Sequence, residues 1–177
     1  MTETYDPAPE AGRLGRAITQ GSLVFAVAAL ASVAILGTEV VLRYLFNRPT
    51  LWAHETVIFL NACIFVYGGL FATARDSHIR VVLLYGLLSV RWRRRLDLLI
   101  YGICGLSCLV FAWATKQMVA RALFAPDGTL RVERSGSAWN PPTPGLLKLF
   151  LLVVLLAMAV QFARLALGAA RPEAEGA

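Results

Sequence analysis

Residues 18–42 read ITQGSLVFAVAALASVAILGTEVVL, and the only ionisable residue in this run is Glu39. At about 1.5 Å of rise per helical residue, about 20 apolar residues cross the ~30 Å hydrocarbon core of a bilayer. The run is therefore long enough to span a membrane and to tilt or emerge from it. It follows an acidic leader and exceeds the apolar region of a typical signal peptide, so we expect an uncleaved anchor.

Three further apolar runs follow, over residues 52–74, 96–118 and 145–167. The whole chain of 177 residues is 58% hydrophobic and 16% charged, whereas soluble domains carry about 25% charged residues. These patterns predict an all-α integral membrane protein with about four transmembrane helices. We expect a disordered cytoplasmic leader over 1–12, a single membrane domain over 13–170 and a cytoplasmic tail over 171–177.

A shorter apolar segment lies between the second and third spans, within residues 77–95. It is too short to cross a bilayer and ends in a cluster of arginines around a tryptophan, which is typical of a helix lying in the headgroup layer. The sequence therefore predicts an interfacial amphipathic helix in contact with phospholipid. Its membrane-surface anchors would be His78, Arg91, Trp92, Arg93, Arg94 and Arg95.

The distribution of Lys and Arg indicates the orientation. With four spans, one side of the membrane holds ten of these residues and the other holds seven, and the densest cluster lies between the second and third spans. By the positive-inside rule that loop is cytoplasmic, which predicts a multi-pass protein of the bacterial inner membrane with both termini in the cytoplasm. The net charge of +6 then reflects the membrane surface and does not indicate a nucleic-acid partner.

Few ionisable residues occur inside the spans. Glu39 and Arg43 are four residues apart, which places them on one helix face and suits an ion pair. One interpretation is a self-neutralising pair near the outer interface; the other is a polar contact to a partner helix or a substrate route. Glu55, behind Trp52 and His54 in the first turn of the second span, is either a capping acid favoured by the helix dipole or a binding residue.

Several classes of chemistry lack their residues in this sequence. The two histidines, His54 and His78, fall on opposite sides of the membrane in the predicted topology, which argues against a haem held between helices and against a multi-histidine metal centre. There is no Ser-His-Asp set, phosphate-binding loop or Cys-x-x-Cys motif. We therefore expect no enzyme activity, no cofactor and no metal site.

Several short motifs lie around the second span. They are Arg43-Tyr44-Leu45-Phe46-Asn47 before Pro49, then Trp52 and Glu55, then Gly68, Gly69 and Ala72, then Arg75 and His78-Ile79. In this order they resemble the small membrane subunit of the tripartite ATP-independent periplasmic (TRAP) transporters, the DctQ-like family. The family often has an acid a few residues after that histidine, where this chain has Val82. The third and fourth spans add only hydropathy to the resemblance.

The resemblance implies a scaffold subunit of a secondary, sodium-coupled transporter for organic acids. Its partners would be a large multi-span TRAP membrane subunit and a periplasmic substrate-binding protein. The candidate interface residues are Glu39, Arg43, Trp52, Glu55, Gly68, Gly69 and Ala72. The alternative is a small homo-oligomeric membrane anchor or sensor protein.

Overall fold

The computed structural model describes residues 12–75 and 89–170, which contain four α-helices. Helix α1 is Gly12–Leu45, α2 is Ala53–Ala74, α3 is Val90–Leu123 and α4 is Thr143–Ala170. All four are long and apolar enough to cross a membrane. In these described ranges no strand occurs beyond an isolated bridge between Phe124 and Leu130. The predicted all-α class with four membrane-length helices is confirmed.

Three of the four helices, α1, α3 and α4, are longer than the predicted spans. α1 and α3 each have 34 residues, or roughly 51 Å at 1.5 Å per residue, which exceeds the ~30 Å hydrocarbon core. The predicted spans 18–42, 96–118 and 145–167 lie inside α1, α3 and α4, and the span 52–74 starts one residue before α2. The ends of α1 and α3 therefore extend beyond the hydrocarbon layer of a bilayer of ordinary thickness.

The predicted interfacial segment 77–95 is described only in its last part. Residues 76–88, including His78, lie outside the described residues. The boundary expected after Arg95 is not a helix boundary, because α3 begins at Val90 and continues through the third span. The carbonyl of Ser89 accepts the N–H groups of Trp92 and Arg93 at 2.9 and 3.0 Å. Residues 94–101 contain no glycine or proline that would interrupt the helix between this first turn and the predicted span.

A short connection, residues 46–52, joins α1 to α2. Asn47 has a φ of 50°, in the left-handed region that often ends helices. The N–H of Arg48 donates to the carbonyl of Leu42 at 2.9 Å and satisfies one of the carbonyls left open at a helix C-terminus. Pro49 follows and cannot continue the helix, so α1 ends close to where the sequence predicts.

The helices divide between two compact units. The terminal unit comprises the described residues 12–20, 70–75, 89–112 and 155–170, and the loop unit comprises residues 21–69 and 113–154. The core of the terminal unit is formed by side chains of α3 and α4. Its buried members are Tyr101, Cys108, Ala159, Phe162 and Leu165.

The loop unit contains the close packing of α1 against α2. The rings of Phe25 and Tyr67 are stacked with centroids 3.9 Å apart, and Phe150 of α4 lies 6.0 Å from Phe25. Gly21 lies directly under Tyr67, since a Cβ placed on it would be 2.3 Å from the phenol oxygen. Glycine at position 21 therefore leaves room for the tip of the Tyr67 ring.

The connection between α3 and α4, residues 124–142, is irregular but is hydrogen-bonded to the end of α3. The N–H of Arg131 donates to the carbonyl of Leu123 at 2.8 Å, and that of Glu133 donates to Ala122 at 2.7 Å. Gly145 at the start of α4 leaves room for this connection to pack against the helix, because a Cβ on residue 145 would lie 2.8 Å from Val132. The segment therefore has a defined conformation without regular secondary structure.

Candidate functional site

A buried carboxylate lies where α1 meets the 46–52 connection. Glu39 is 6% exposed. Its Oε1 accepts hydrogen bonds from Arg43 Nε at 3.1 Å and Arg43 Nη2 at 2.5 Å. Its Oε2 accepts the N–H of Thr50 at 3.0 Å and also the hydroxyl of Thr50. Both carboxylate oxygens are therefore satisfied within the chain, as a buried charge requires.

The two members of the ion pair differ in accessibility. The side chain of Glu39 is 7% exposed and that of Arg43 is 52% exposed. Glu39 thus ties α1 to the connection that leads into α2, whereas Arg43 presents a guanidinium at the surface. Of the two interpretations of this pair, the structure supports internal neutralisation for Glu39 and leaves Arg43 accessible to a partner.

The start of α2 brings together Trp52, which directly precedes the helix, and Glu55 in its first turn. Trp52 is 45% exposed. Its carbonyl accepts two hydrogen bonds from Thr56, one from the N–H at 3.0 Å and one from the hydroxyl at 2.8 Å. Glu55 is half-buried, and its Oε2 is buried without a hydrogen-bond partner in the described part of the chain. A buried unpaired carboxylate oxygen is costly, so Glu55 is the residue of this group that most needs a further donor.

The three small residues late in α2 form a separate group. Gly68 lies 13 positions after Glu55, or roughly 20 Å along the helix. It is exposed, and a Cβ placed on it would meet nothing within 4 Å. Gly69 and Ala72 are half-buried. The candidate residues therefore form two groups. The connection group, around residues 46–52, comprises Glu39, Arg43, Trp52 and Glu55, and the small-residue group comprises Gly68, Gly69 and Ala72.

The arginines expected to anchor the membrane surface have distinct contacts. Arg94 donates from Nε to the carbonyl of Ala169 at 2.5 Å and from Nη2 to the carbonyl of Ala170, at the C-terminus of α4. A cation there complements the helix dipole. The guanidinium of Arg95 lies 5.3 Å from the ring centroid of Trp92. Arg91 and Trp92 are exposed, and Arg93 is half-buried.

Comparison with known proteins identifies the family. Residues 32–171 match the family described as tripartite ATP-independent periplasmic transporters, DctQ component. The chain belongs to the DctQ family. The matched range contains every candidate interface residue and all of α2, α3 and α4. The resemblance inferred from the motifs is therefore confirmed, and DctQ-family chains are transport components.

One curated relative matches over a shorter stretch. It is the C4-dicarboxylate TRAP transporter small permease protein DctQ of Vibrio cholerae serotype O1, 33% identical over 70 residues. The match covers 40% of this chain and 28% of the relative's length.

Two side-chain contacts are not predicted from the sequence. Thr50 supplies two of the hydrogen bonds to Glu39, and its place in the connection follows from the turn at Asn47. Arg94, a predicted membrane-surface anchor, also binds the end of α4 through its guanidinium. The sequence offers only a weak signal for the contact of Thr50 with Glu39. Thr50 is a hydroxyl residue directly after Pro49, and Glu39 lies near the end of the preceding span.

The described residues contain no group of three or more His, Cys, Asp or Glu side chains placed to hold a metal ion. The chemistry that the connection group offers is hydrogen bonding and ion pairing.

Proposed function

We propose that this chain is the scaffold subunit of a secondary, sodium-coupled TRAP-type transporter. It lies in the phospholipid bilayer of the bacterial inner membrane with both termini in the cytoplasm. It braces a large multi-span membrane subunit, to which a periplasmic binding protein delivers an organic acid. The subunit itself carries out no catalysis and binds no cofactor.

The observation that carries this proposal is that few polar side chains are buried and that the buried carboxylate is already hydrogen-bonded within the chain. Among the described residues these are Ser32, Glu39, Thr73, Thr115 and Gln161. The one charged group, Glu39, uses both oxygens within the chain. Hard cations need several oxygen ligands, and a membrane route for an organic anion needs polar groups that face it. Such sites therefore belong to the large subunit.

The surface of α2 and the connection before it suits a partner helix. Helices associate in lipid through close packing and polar contacts, because lipid removes the hydrophobic drive between them. Gly68 offers a place of close approach, and Arg43 offers an accessible guanidinium. Glu55 offers an oxygen that lacks a donor among the described residues. We assign these residues, together with Glu39, Trp52, Gly69 and Ala72, to the interface with the large subunit.

The substrate class is an organic acid. The Vibrio cholerae relative is named for C4-dicarboxylates, which makes a C4-dicarboxylate the first substrate to test. The specificity residues would lie in the large subunit and in the binding protein.

Co-purification tests the scaffold role. The tagged chain is expressed together with a large TRAP subunit from the same genome, and the complex is purified in mild detergent. Glu39→Ala and Arg43→Ala should lower recovery of the large subunit, because the first releases the connection and the second removes the accessible cation. Arg48→Ala is the matched control, since Arg48 is exposed in the same connection and lies outside the Glu39 network.

Uptake into proteoliposomes gives the second measurement. The complex with its binding protein should accumulate the acid only with an inward sodium gradient. Each of the two variants should reduce uptake in proportion to the fraction of large subunit that it fails to recover. Wild-type recovery and uptake in both variants would contradict the interface. A chain that purifies only with copies of itself would instead favour the homo-oligomeric anchor or sensor.

A further inference from the structure

Three arginines line a pocket in the loop unit that has no role in the proposed scaffold function. The pocket has a volume of about 510 Å³ and lies between the last turn of α3 and the 124–142 connection. Arg121 comes from α3, and Arg131 and Arg134 come from the connection. Apolar side chains, including Phe124, complete the lining.

The backbone that carries these arginines is fixed in place. Hydrogen bonds of 2.8 and 2.7 Å attach the N–H groups of Arg131 and Glu133 to carbonyls in the last turn of α3. Arg134 Nη1 donates to the carbonyl of Asn140 at 3.0 Å. A site with preset donors loses less conformational freedom when a ligand binds.

The pocket carries an excess of positive charge. Its one acidic lining residue, Glu133, forms an ion pair with Lys148. Within the described residues, none of the three arginines forms an ion pair, and the side chains of Arg121 and Arg131 form no hydrogen bond. Guanidinium groups match phosphate and carboxylate oxygens in a planar, two-point geometry. The pocket therefore favours an anionic group.

The position of the pocket along α3 favours a lipid phosphate. Arg121 lies three residues beyond the predicted span 96–118, or about 4.5 Å past its end, which is the level of the headgroups. Phe124 is 49% exposed and Trp139 is 44% exposed in the same part of the chain, and exposed aromatic side chains are typical of the membrane–water interface. An amphiphile with a phosphate at this level can contact both the arginines and Phe124.

We propose that the pocket formed by Arg121, Arg131 and Arg134 binds the phosphate group of an anionic phospholipid. The arginines hold the phosphate oxygens, and the apolar lining contacts the glycerol and the first carbons of the acyl chains. The site requires only that the chain lies in a bilayer, so it is independent of the transporter role.

Binding of dioctanoyl phosphatidylglycerol to the full chain in mild detergent tests the proposal, with calorimetry and native mass spectrometry as readouts. Each lost charge-assisted hydrogen bond to phosphate weakens binding, so the triple variant R121Q/R131Q/R134Q should bind at least about tenfold more weakly. Arg131→Gln alone should weaken binding measurably, whereas Arg48→Gln, which removes one exposed arginine outside the pocket, should not.

Two results would overturn the proposal. The first is wild-type lipid affinity in the triple variant. The second is displacement of the lipid by inorganic phosphate at equal concentration, which would make the pocket a site for free small anions. If the triple variant gives the first result and also loses binding of the periplasmic protein, the pocket is a protein-docking surface. The side chain of Arg131 forms no hydrogen bond or ion pair in the described structure, so Arg131→Gln should have the melting temperature of the wild type. If the triple variant misfolds, lipid binding by this single variant still tests the proposal.

Discussion

At the residue scale, Glu39 stabilises the structure through one carboxylate with three donor groups. Arg43 and the hydroxyl and N–H of Thr50 all bind it. We predict that Glu39→Gln lowers the melting temperature in detergent, because the amide cannot accept all of these hydrogen bonds and leaves Arg43 without its counter-charge. Thr50→Val should lower it less, since the N–H donor of residue 50 remains. Arg48→Gln, in the same connection, should keep the wild-type melting temperature. Equal melting temperatures for all three variants would refute a stabilising role of the Glu39 carboxylate.

Asp127 provides a second residue-scale prediction, outside the spans. Hydrogen bonds from the hydroxyl and the N–H of Thr129, at 2.7 and 3.0 Å, lower the pKa of the Asp127 carboxyl below its ordinary value. A lowered folded-state pKa means that the ionised form stabilises the turn above the unfolded pKa, and that this stabilisation is lost as pH falls through the folded pKa. Near neutral pH the turn should therefore be fully formed.

The pKa of Asp127 can be followed directly by NMR titration of its carboxyl carbon. Thr129→Val removes the hydroxyl, which is the largest cause of the shift, and should raise the pKa of Asp127 toward its ordinary value. Ser137→Ala, elsewhere in the same connection, is the control. An unchanged midpoint in Thr129→Val would show that another group sets the pKa.

At the element scale, the packing of α1 on α2 depends on Gly21. A Cβ there would be 2.3 Å from Tyr67 Oη and 3.3 Å from Tyr67 Cζ. Gly21→Ala should therefore destabilise the chain by about 1–3 kcal/mol, the usual cost of overpacking. Removing the phenol oxygen relieves the closest contact, so the double variant G21A/Y67F should recover a large part of the loss in thermal or denaturant unfolding.

Gly37 provides the matched control on the same helix. A Cβ there would meet nothing within 4 Å, and alanine is the better helix former, so Gly37→Ala should be neutral or stabilising. Equal destabilisation by Gly21→Ala and Gly37→Ala would mean that helix propensity, and not contact with Tyr67, sets the cost.

The same elements show how far the sequence predicts the fold. Hydropathy locates all four helices because 20 or so apolar residues have few alternatives to a membrane helix. It does not show that α3 starts at Val90, because arginine is a good helix former and carries no boundary signal. The i, i+4 spacing predicts the Glu39–Arg43 pair, whereas the bond to Thr50 depends on the turn at Asn47 and has no sequence period.

At the scale of the whole molecule, the distribution of charge sets the orientation in the membrane. Labelling with a membrane-impermeant maleimide measures it, in a background where Cys63, Cys104 and Cys108 are replaced by alanine. Leu130, 73% exposed, lies in the predicted periplasmic connection, and Ser89, also exposed, lies before α3 on the predicted cytoplasmic side. We expect Leu130→Cys to label in cells with an intact inner membrane and Ser89→Cys to label only after that membrane is opened. The reverse pattern would contradict the proposed orientation.

The arginines at the start of α3 should determine this orientation. Replacing Arg91, Arg93 and Arg95 by glutamine leaves seven Lys and Arg on each side of the membrane, which removes the bias that the positive-inside rule uses. Arg94 is kept because it binds the end of α4. In this triple variant, labelling of Leu130→Cys in intact cells should fall and that of Ser89→Cys should rise. As a control, replacing Arg121, Arg131 and Arg134 by glutamine instead increases the difference in Lys and Arg between the two sides, and it should leave the labelling unchanged. A mixed orientation in this control would show that the number of arginines alone does not orient the chain.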